Sequence, residues 1–307
     1  MSERALHIAV IGDVHGHLRL MFQLCRLWQV QTGVHLDLVL QCGDLGFFPD
    51  PARLDKATQR FASDDIEEMG FGLYFAQPQP PESDPLIETI LNGDPDSLHT
   101  VRCPVIWCHG NHEDLSELER ISRGRDLTPV DTFGALCFLR DGCMTECEGL
   151  RIAAVGGAPE RMDSSDREPR HATRHPWKQV SARACNQLAG RAFDVLLTHG
   201  GPADVAPVIG GAGSPALRGL VEIVQPAYHF YAHHAKAIPP AMLGSTRCVW
   251  MADVNFSGAN VERAHVNAGC MGVLRWQGRD EHDFALAGPD VWGRLTPSRW
   301  MHPGAPG

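Results

Sequence analysis

The sequence is poor in basic side chains and has no long apolar run. Its 27 lysine and arginine residues are outnumbered by 37 aspartate and glutamate residues, so the formal charge at pH 7 is −10. Broad binding of nucleic acid depends on basic side chains that neutralise phosphates, and the charge argues against that class of protein. No apolar run approaches the roughly 20 residues that a membrane-spanning helix needs. We therefore expect a chain that does not associate with membranes.

The sequence also lacks the cysteine spacings of zinc ribbons and redox pairs. Its ten cysteines are scattered, mostly in apolar runs, and Cys143 and Cys147 do not have the spacing of either motif. Buried, reduced thiols are typical of proteins in the reducing cytosol. The N-terminal residues 1–4 lead directly into the first predicted strand, which disfavours a leader segment. These features predict a cytoplasmic protein.

Five short polar blocks each follow an apolar run and contain residue types that bind metal ions. The blocks are Gly12-Asp13-Val14-His15-Gly16, Gly43-Asp44, Gly110-Asn111-His112-Glu113, Thr198-His199-Gly200 and Ala232-His233-His234-Ala235. The preceding runs are short and partly β-branched, as in strands that are buried on both faces. Loops at the C-terminal ends of strands in an α/β sheet converge on one centre, so we expect these side chains to lie together.

The side chains in these blocks predict a particular chemistry. Carboxylates, imidazoles and an amide carbonyl, without thiolates, form a ligand set that suits Mn, Fe, Zn or Mg. A shared carboxylate such as that of Asp44 would bridge two ions. Two ions roughly 3.5–4 Å apart stabilise the attacking and leaving oxygens at phosphorus and lower the pKa of a bound water to about 7. The pattern predicts hydrolysis of a phosphate ester by a hydroxide that the metals activate.

In this order the blocks resemble the motifs of calcineurin-like metallophosphoesterases: Asp-x-His, Gly-Asp, Gly-Asn-His-Glu/Asp, a lone His after a strand, and Gly-His-x-His. The resemblance covers roughly the first 235 residues. It implies an α/β fold of two mixed β-sheets packed face to face with flanking helices, with the metal site at the C-terminal strand edge. It also implies two divalent metal ions, Mn, Fe, Zn or Mg, of which we favour Mn.

The resemblance assigns a role to each block. The implied metal ligands are Asp13 and His15 for the first ion, Asp44 for both ions, and Asn111, His199 and His233 for the second ion. His112 would lie outside the metal ligands and serve catalysis, by donating to a phosphate oxygen or protonating the leaving group. Gly43 and Gly110 would allow the tight turns that bring the ligands inward.

The fifth block departs from the family pattern. Ala232 stands where the family has Gly, and Ala235 stands where the family has the histidine that completes the shell of the first metal. Either the first ion has one ligand fewer, or His234 swings in to replace it. Adjacent positions in a strand or loop point in opposite directions, so we favour a weaker, more open first site.

A second, looser resemblance is to RNA lariat debranching enzymes. The strings that carry it are Gly16-His17-Leu18, Leu36 to Asp44, Gly110 to Glu113, Gly149 to Ala153 and Tyr228 to His233 with Lys236. That family also has Ala before the metal-binding His, but it has Cys at the position of Asp13 and keeps the second His. The resemblance favours a phosphodiester in a phosphorylated small molecule or short nucleic acid, with His17 as a candidate substrate contact. The alternatives are a phosphomonoesterase and a non-catalytic metal- or nucleotide-binding module on the same scaffold.

Two further segments lie between the blocks. An acidic insertion at about residues 50–100 is predicted to hold a helix over 53–69 and a short helix near 86–91. It is either a lid or a surface for a protein partner, or a solvated excursion. A basic segment follows Pro159, and arginine binds phosphate through paired donors. In that segment Arg161 and His175 are candidate substrate contacts. The alternative is that acidic residues of the same segment pair with its basic residues on a solvated face.

The ligand blocks span most of the chain, which favours a single domain. We expect this domain over residues 1–285, followed by a C-terminal tail over 286–307 that packs as an arm or stays partly disordered. Apolar runs at 246–251 and 272–276 are predicted to be late strands of the second sheet.

Overall fold

The computed structural model describes residues 4–76, 84–159, 175–205, 213–234, 238–258, 264–293 and 295–301. Arg161 and Ala235, which the sequence analysis singled out, lie outside the described residues.

The strands of the described residues are β1 (Leu6–Ile11), β2 (Leu38–Gln41), β3 (Val105–Trp107), β4 (Leu127–Pro129), β5 (Leu136–Leu139), β6 (Met144–Cys147), β7 (Leu150–Val155), β8 (Val195–Thr198), β9 (Tyr228–Tyr231), β10 (Ile238–Leu243), β11 (Thr246–Trp250), β12 (Phe256–Ser257), β13 (His265–Val266), β14 (Met271–Trp276) and β15 (His282–Leu286). The α-helices are α1 (Leu18–Thr32), α2 (Lys56–Ala62), α3 (Pro85–Leu91), α4 (Leu115–Ser122), α5 (Ala182–Leu188), α6 (Pro215–Val224) and α7 (Pro289–Trp292). Short 3₁₀ turns lie at Pro51–Arg53, Ile66–Met69 and Pro176–Lys178, and a π-helical turn lies at Phe71–Phe75.

Two mixed sheets form the centre of the fold. Within the described residues, the first has the order β15-β14-β1-β2-β3-β5-β4 and the second has the order β10-β11-β9-β8-β7-β6. Each contains four consecutive parallel strands flanked by antiparallel ones. The predicted α/β class with two mixed sheets is confirmed.

Alternation along the strands packs the sheets face to face. In β1, Ile8 and Val10 point into the layer between the sheets, where they belong to one apolar cluster with Ile152 of β7 and Val195 of β8. The intervening β1 residues face the opposite side and pack with α1, whereas α5 and α6 cover the outer face of the second sheet. The central strands of each sheet, such as β2, β3, β8 and β9, are buried on both faces, and this explains their nearly continuous apolar runs in the sequence.

One late strand lies in a different sheet from the one predicted. β11 pairs with β9 in the second sheet, as expected, but β14 pairs antiparallel with β1 in the first sheet. The assignment of residues 272–276 to the second sheet is therefore wrong. An apolar run shows that a strand is buried, but its partner depends on long-range topology that local sequence does not encode.

The acidic insertion contains the short helix α2 between two 3₁₀ turns, instead of the single helix predicted over 53–69. Asp50, Asp55 and Asp65 each accept a backbone N–H two or three residues ahead and so start a new turn. Aspartate side chains compete in this way with continued helical hydrogen bonding. The second predicted helix is confirmed as α3, which Asp84 caps.

The tail packs on the first sheet's helical layer. Trp292 and Trp300 are buried in the same apolar cluster as α1, and the Nε2 of Gln23 donates to the carbonyl of Trp300 at 3.1 Å. The domain boundary near residue 286 stays a prediction. All ten cysteines fall within the described ranges as free thiols, nine of them buried. Among the described helices, none has the length and apolar character needed to cross a membrane.

Candidate metal centre

The predicted ligand loops meet at the C-terminal edge of the strands. The loops are those after β1 (Asp13 and His15), β2 (Asp44), β3 (Asn111 and His112), β8 (His199) and β9 (His233). Backbone hydrogen bonds join them, because the amides of Val14 and His15 both donate to the carbonyl of Asp44, at 2.9 and 2.8 Å. The structure thus brings the predicted ligand loops together at this edge.

The first group of converging side chains contains Asp13, His15 and Asp44. One ligand atom of each lies within 4.8 Å of the others. The Nε2 of His15 is 3.8 Å from a carboxylate oxygen of Asp13 and 3.8 Å from one of Asp44. Both carboxylates are buried.

The second group contains Asp44, His199 and His233, whose ligand atoms also lie within 4.8 Å of one another. The Nε2 of His199 is 3.3 Å from Asp44 Oδ2, 2.9 Å from the Nδ1 of His233 and 3.2 Å from the Oδ1 of Asn111. Asp44 belongs to both groups. Oxygen and imidazole donors that converge in this way fit a pair of divalent cations with one shared carboxylate.

Three of these side chains project from strained backbone. The φ angles of His15, Asp44 and His233 are 44°, 50° and 78°, in the left-handed region that non-glycine residues avoid. Such conformations cost roughly 1–3 kcal/mol each and persist only where the surrounding structure enforces them. Among the described non-glycine residues, six have a positive φ angle, and three of the six lie at this edge.

The two glycines singled out by the sequence act differently. Gly43 has a φ of 87°, as a tight turn requires, and a Cβ there would lie 2.7 Å from the Cβ of His199. Gly110 has no positive φ, but a Cβ on it would overlap the carboxylate of Asp44. Gly110 therefore permits close approach of the β3 loop to the shared ligand and is not needed for its own backbone conformation.

The ionisable side chains of the centre shift one another's pKa values. Burial raises the pKa of Asp44, but His199, His15 and His112 outweigh this and hold it well below its ordinary value. Burial lowers the pKa of His199, but Asp44 and Asp13 raise it well above the ordinary value. Burial and the neighbouring His199 lower the pKa of His233 to about 4, which keeps this imidazole neutral. A bound cation would replace the proton on His199, so metal and proton compete there.

Glu113, the last residue of the third block, fastens two loops together. Its carboxylate accepts the amides of Leu45 at 2.9 Å and Phe47 at 2.5 Å, and the amide of Gly110 lies at 3.5 Å. Burial and the charge of Asp44 raise the pKa of Glu113 to about 8 against these hydrogen bonds. Glu113 therefore holds the loops after β2 and β3 in position relative to each other.

His112 has a partner that the sequence did not predict. Its Nδ1 is 2.8 Å from the Oδ2 of Asp55, which belongs to the acidic insertion, and its backbone amide donates to Asp44 Oδ1 at 2.7 Å. Burial lowers the pKa of His112, but Asp55 and Asp44 outweigh it and raise the pKa. The Nζ of Lys178 lies 3.8 Å from the same oxygen of Asp55. In the sequence, Asp55 belongs to no motif and is typical only of a helix cap.

The remaining candidate residues lie around this centre. His17 is buried at the start of α1, between the carbonyl of Val14 and the carboxylate of Asp65, each 3.0 Å away. His175 accepts the amide of Trp177 and lies 3.2 Å from Glu119. His234 packs against Trp250, with ring centroids 4.6 Å apart. Within the described residues these contacts give His17 and His175 partners in the protein itself.

Asp253 faces the centre from the loop after β11, and the sequence analysis missed it. Burial and the neighbouring charge of Asp13 raise its pKa to about 7, although His15 lowers it. The backbone amide of Val254 donates to the carbonyl of Asp13 at 2.7 Å, which ties this loop to the first block. An isolated Asp after a strand, without a neighbouring His, gave no signal in the sequence.

Known proteins resemble this chain in sequence and in fold. The profile of the calcineurin-like phosphoesterase family matches residues 6–237. A lariat debranching enzyme of Drosophila melanogaster is 25% identical over 264 residues, an alignment that covers 75% of this chain and 43% of that enzyme. The chain thus spans less than half the length of this relative.

Two solved structures show weaker likeness. The structure of TT1561 from Thermus thermophilus is 14% identical, with a TM-score of 0.46 over 92% of this chain and 99% of that one. A novel phosphatase from Mycoplasma pneumoniae is 12% identical, with a TM-score of 0.40 over 95% and 98% of the two chains. Neither likeness bears on activity. The family profile spans most of the chain and every described ligand block, so the protein belongs to the calcineurin-like phosphoesterase family.

Proposed function

We propose that this chain is a metal-dependent phosphoesterase that hydrolyses a phosphodiester with two divalent ions. The observation that carries the proposal is the shared carboxylate of Asp44, which belongs to both groups of converging ligand atoms. Asp13 and His15 would hold one ion, and His199, His233 and Asn111 would hold the other. Oxygen and imidazole donors without thiolate suit Mn, Fe, Zn or Mg, and of these ions we favour Mn.

Two bound ions would offset charge on the phosphate oxygens and lower the pKa of water at the site to about 7. The protein then has to position the substrate and protonate the leaving oxygen. His112 is suited to the second task, because Asp55 engages its Nδ1 and raises its pKa, which favours the protonated ring. With Nδ1 engaged, Nε2 is the nitrogen that can serve the substrate. Such general acid help contributes about 10²–10⁴-fold to turnover.

The contacts of the insertion favour a role within this site over a role as a surface for a protein partner. Asp55 contacts His112, and Asp65 contacts His17 at the start of α1. Glu67 pairs with Arg19 of the same helix. Asp55 is thus directed at the metal centre, and Asp65 and Glu67 attach the insertion to the start of α1.

The preference for a diester comes from the likeness to an enzyme whose name gives the debranching of lariats as its activity. A short nucleic acid or a phosphorylated small molecule is the proposed substrate class. Lys178, near Asp55, is a cationic group at the rim that would contact the part of the substrate outside the scissile phosphate.

Turnover of model esters tests the proposal. Purified protein would be assayed on bis-p-nitrophenyl phosphate and on p-nitrophenyl phosphate with added Mn, and again with a chelator. We expect Mn-dependent hydrolysis that the chelator abolishes, with the diester cleaved faster. Much faster cleavage of the monoester would make the protein a phosphomonoesterase. Absence of turnover with Mn, Fe, Zn and Mg would leave the non-catalytic binding module and refute the proposal.

A further inference from the structure

The first group of ligands is incomplete by the family pattern. Asp13, His15 and Asp44 supply three ligand atoms, and the family's fourth ligand is replaced in the sequence by Ala235, which has no donor atom in its side chain. His234 is packed against Trp250. Ions such as Mn and Mg bind up to six oxygen or nitrogen donors, so another protein donor near Asp13 would have a clear use.

Asp253 is held beside this group by its backbone. The amide of Val254 donates to the carbonyl of Asp13 at 2.7 Å, and the Nδ2 of Asn267 donates to the carbonyl of Asp253 at 3.0 Å. Gly12 lies so close that a Cβ on it would overlap the carbonyl oxygen of Ala252. The loop after β11 is therefore fixed against the first block on both sides of Asp253.

Within the described part of the chain, the Oδ1 of Asp253 is buried and has no hydrogen-bond partner. Its carboxylate belongs to neither group of ligand atoms that lie within 4.8 Å of one another, but the ionisable groups that act on it are those of the centre: Asp13, His15, Asp44 and His199. Buried carboxylate oxygens are normally hydrogen-bonded or bound to a cation, and an unpaired one beside two further carboxylates is costly. A cation at the first group would satisfy it.

We infer that Asp253 is a ligand of the first metal ion and supplies the donor that the family's missing histidine provides elsewhere. The inference deepens the proposed function, since it concerns the same centre. The sequence analysis left two alternatives, a first site with one ligand fewer and a first site completed by His234. Asp253 as the additional ligand is a third alternative, and we favour it over both. The replacement also changes the chemistry, because a carboxylate donor favours harder ions such as Mn or Mg over Zn.

Metal binding without turnover tests the inference. Wild-type protein, freed of metal by a chelator, would be titrated with Mn and followed by electron paramagnetic resonance of free Mn. We expect two sites in the wild type and, in Asp253→Ala, one site weakened by at least about tenfold with the other unchanged, since even indirect partners of metal ligands are worth 10–100-fold in affinity. Asp283→Ala is the matched control, because Asp283 is an exposed aspartate on β15, the edge strand beside β14 in the first sheet.

Asp253→Asn covers the case in which the alanine variant fails to fold. It keeps the size of the side chain and removes its charge, so the same site should weaken while the thermal unfolding midpoint stays near that of the wild type. Unchanged affinity at both sites in either folded variant would overturn the inference. Because the readout is metal binding, a protein that binds two Mn ions but hydrolyses no phosphate ester would refute the proposed function and leave this result standing.

Discussion

Removal of the charge on Asp55 should weaken catalysis without disturbing the metals. Asp55 Oδ2 lies 2.8 Å from His112 Nδ1, and Asp55 belongs to neither group of converging ligands. Hydrogen bonds to charged groups are worth about 1.5–3 kcal/mol, and each 1.4 kcal/mol is a factor of ten in rate. Asp55→Asn should therefore lower kcat by about 10–100-fold at neutral pH while Mn content stays at the wild-type value.

The pH dependence gives this prediction a definite sign. As a proton donor, His112 is active when protonated, so turnover falls as pH rises through its pKa. Burial lowers that pKa, but Asp55 and Asp44 outweigh burial and raise it. Without the charge of Asp55 the pKa of His112 falls, and the high-pH limb of the kcat profile should move to lower pH.

The choice of asparagine separates charge from structure. Asp55 also starts α2 by accepting the amides of Ala57 and Thr58, and asparagine caps helices about as well as aspartate does. Asp50→Asn is the matched control, because Asp50 caps an exposed turn of the same insertion by accepting the amide of Ala52. That variant should keep the wild-type kcat and pH profile.

A double-mutant cycle completes the test. His112→Ala should cost about 10²–10⁴-fold in kcat with both metals retained. If Asp55 acts through His112, adding Asp55→Asn to His112→Ala should cost little more, since the two residues form one unit. A wild-type kcat and pH profile in Asp55→Asn, or additive losses in the double variant, would refute the assigned roles.

The remaining predictions concern the loops that hold the centre. Asp44→Asn should reduce metal bound at both sites and abolish turnover, as elemental analysis and the diester assay would show; retention of two ions would exclude a bridging role. Gly110→Ala should have a similar effect, because a Cβ there overlaps Asp44, whereas Gly190→Ala, in open space, should leave metal content unchanged. Glu113→Ala removes the acceptor of two close amide donors and of a more distant one. It should lower the free energy of unfolding by roughly 2–4 kcal/mol in a urea titration. A change below about 0.5 kcal/mol, the usual range for surface substitutions, would contradict its positioning role.

The part of the site that the sequence predicted is the part that strands position directly. Asp13, Asp44 and His199 each follow a short apolar run, and the ends of parallel strands necessarily share an edge. Local pattern was therefore enough to predict that these side chains lie together. The fold class was accessible for the same reason, since buried parallel strands leave nearly continuous apolar runs in the sequence.

The missed residues reach the centre through contacts that no local pattern encodes. Asp55 contacts His112 across 57 positions of sequence and is otherwise an ordinary helix cap. Asp253 depends on β11 lying beside β9, and on the loop after β11 crossing to the first sheet. β14 was placed in the wrong sheet because its pairing with β1 joins the two ends of the domain. In each case long-range topology decides, and aspartate is too common in turns to stand out.

The strained backbone and the interlocked loops together indicate that folding, and not metal binding, sets the geometry of the centre. Positive φ angles at His15, Asp44 and His233 cost roughly 1–3 kcal/mol each, so something outside these residues must enforce them. The enforcing contacts are backbone bonds between loops, such as those from His15 to Asp44 and from Val254 to Asp13, and the carboxylate of Glu113 beneath. None of these contacts requires a cation. The candidate donors are thus held in place by the fold, and ions at this centre would bind to groups that folding has already ordered.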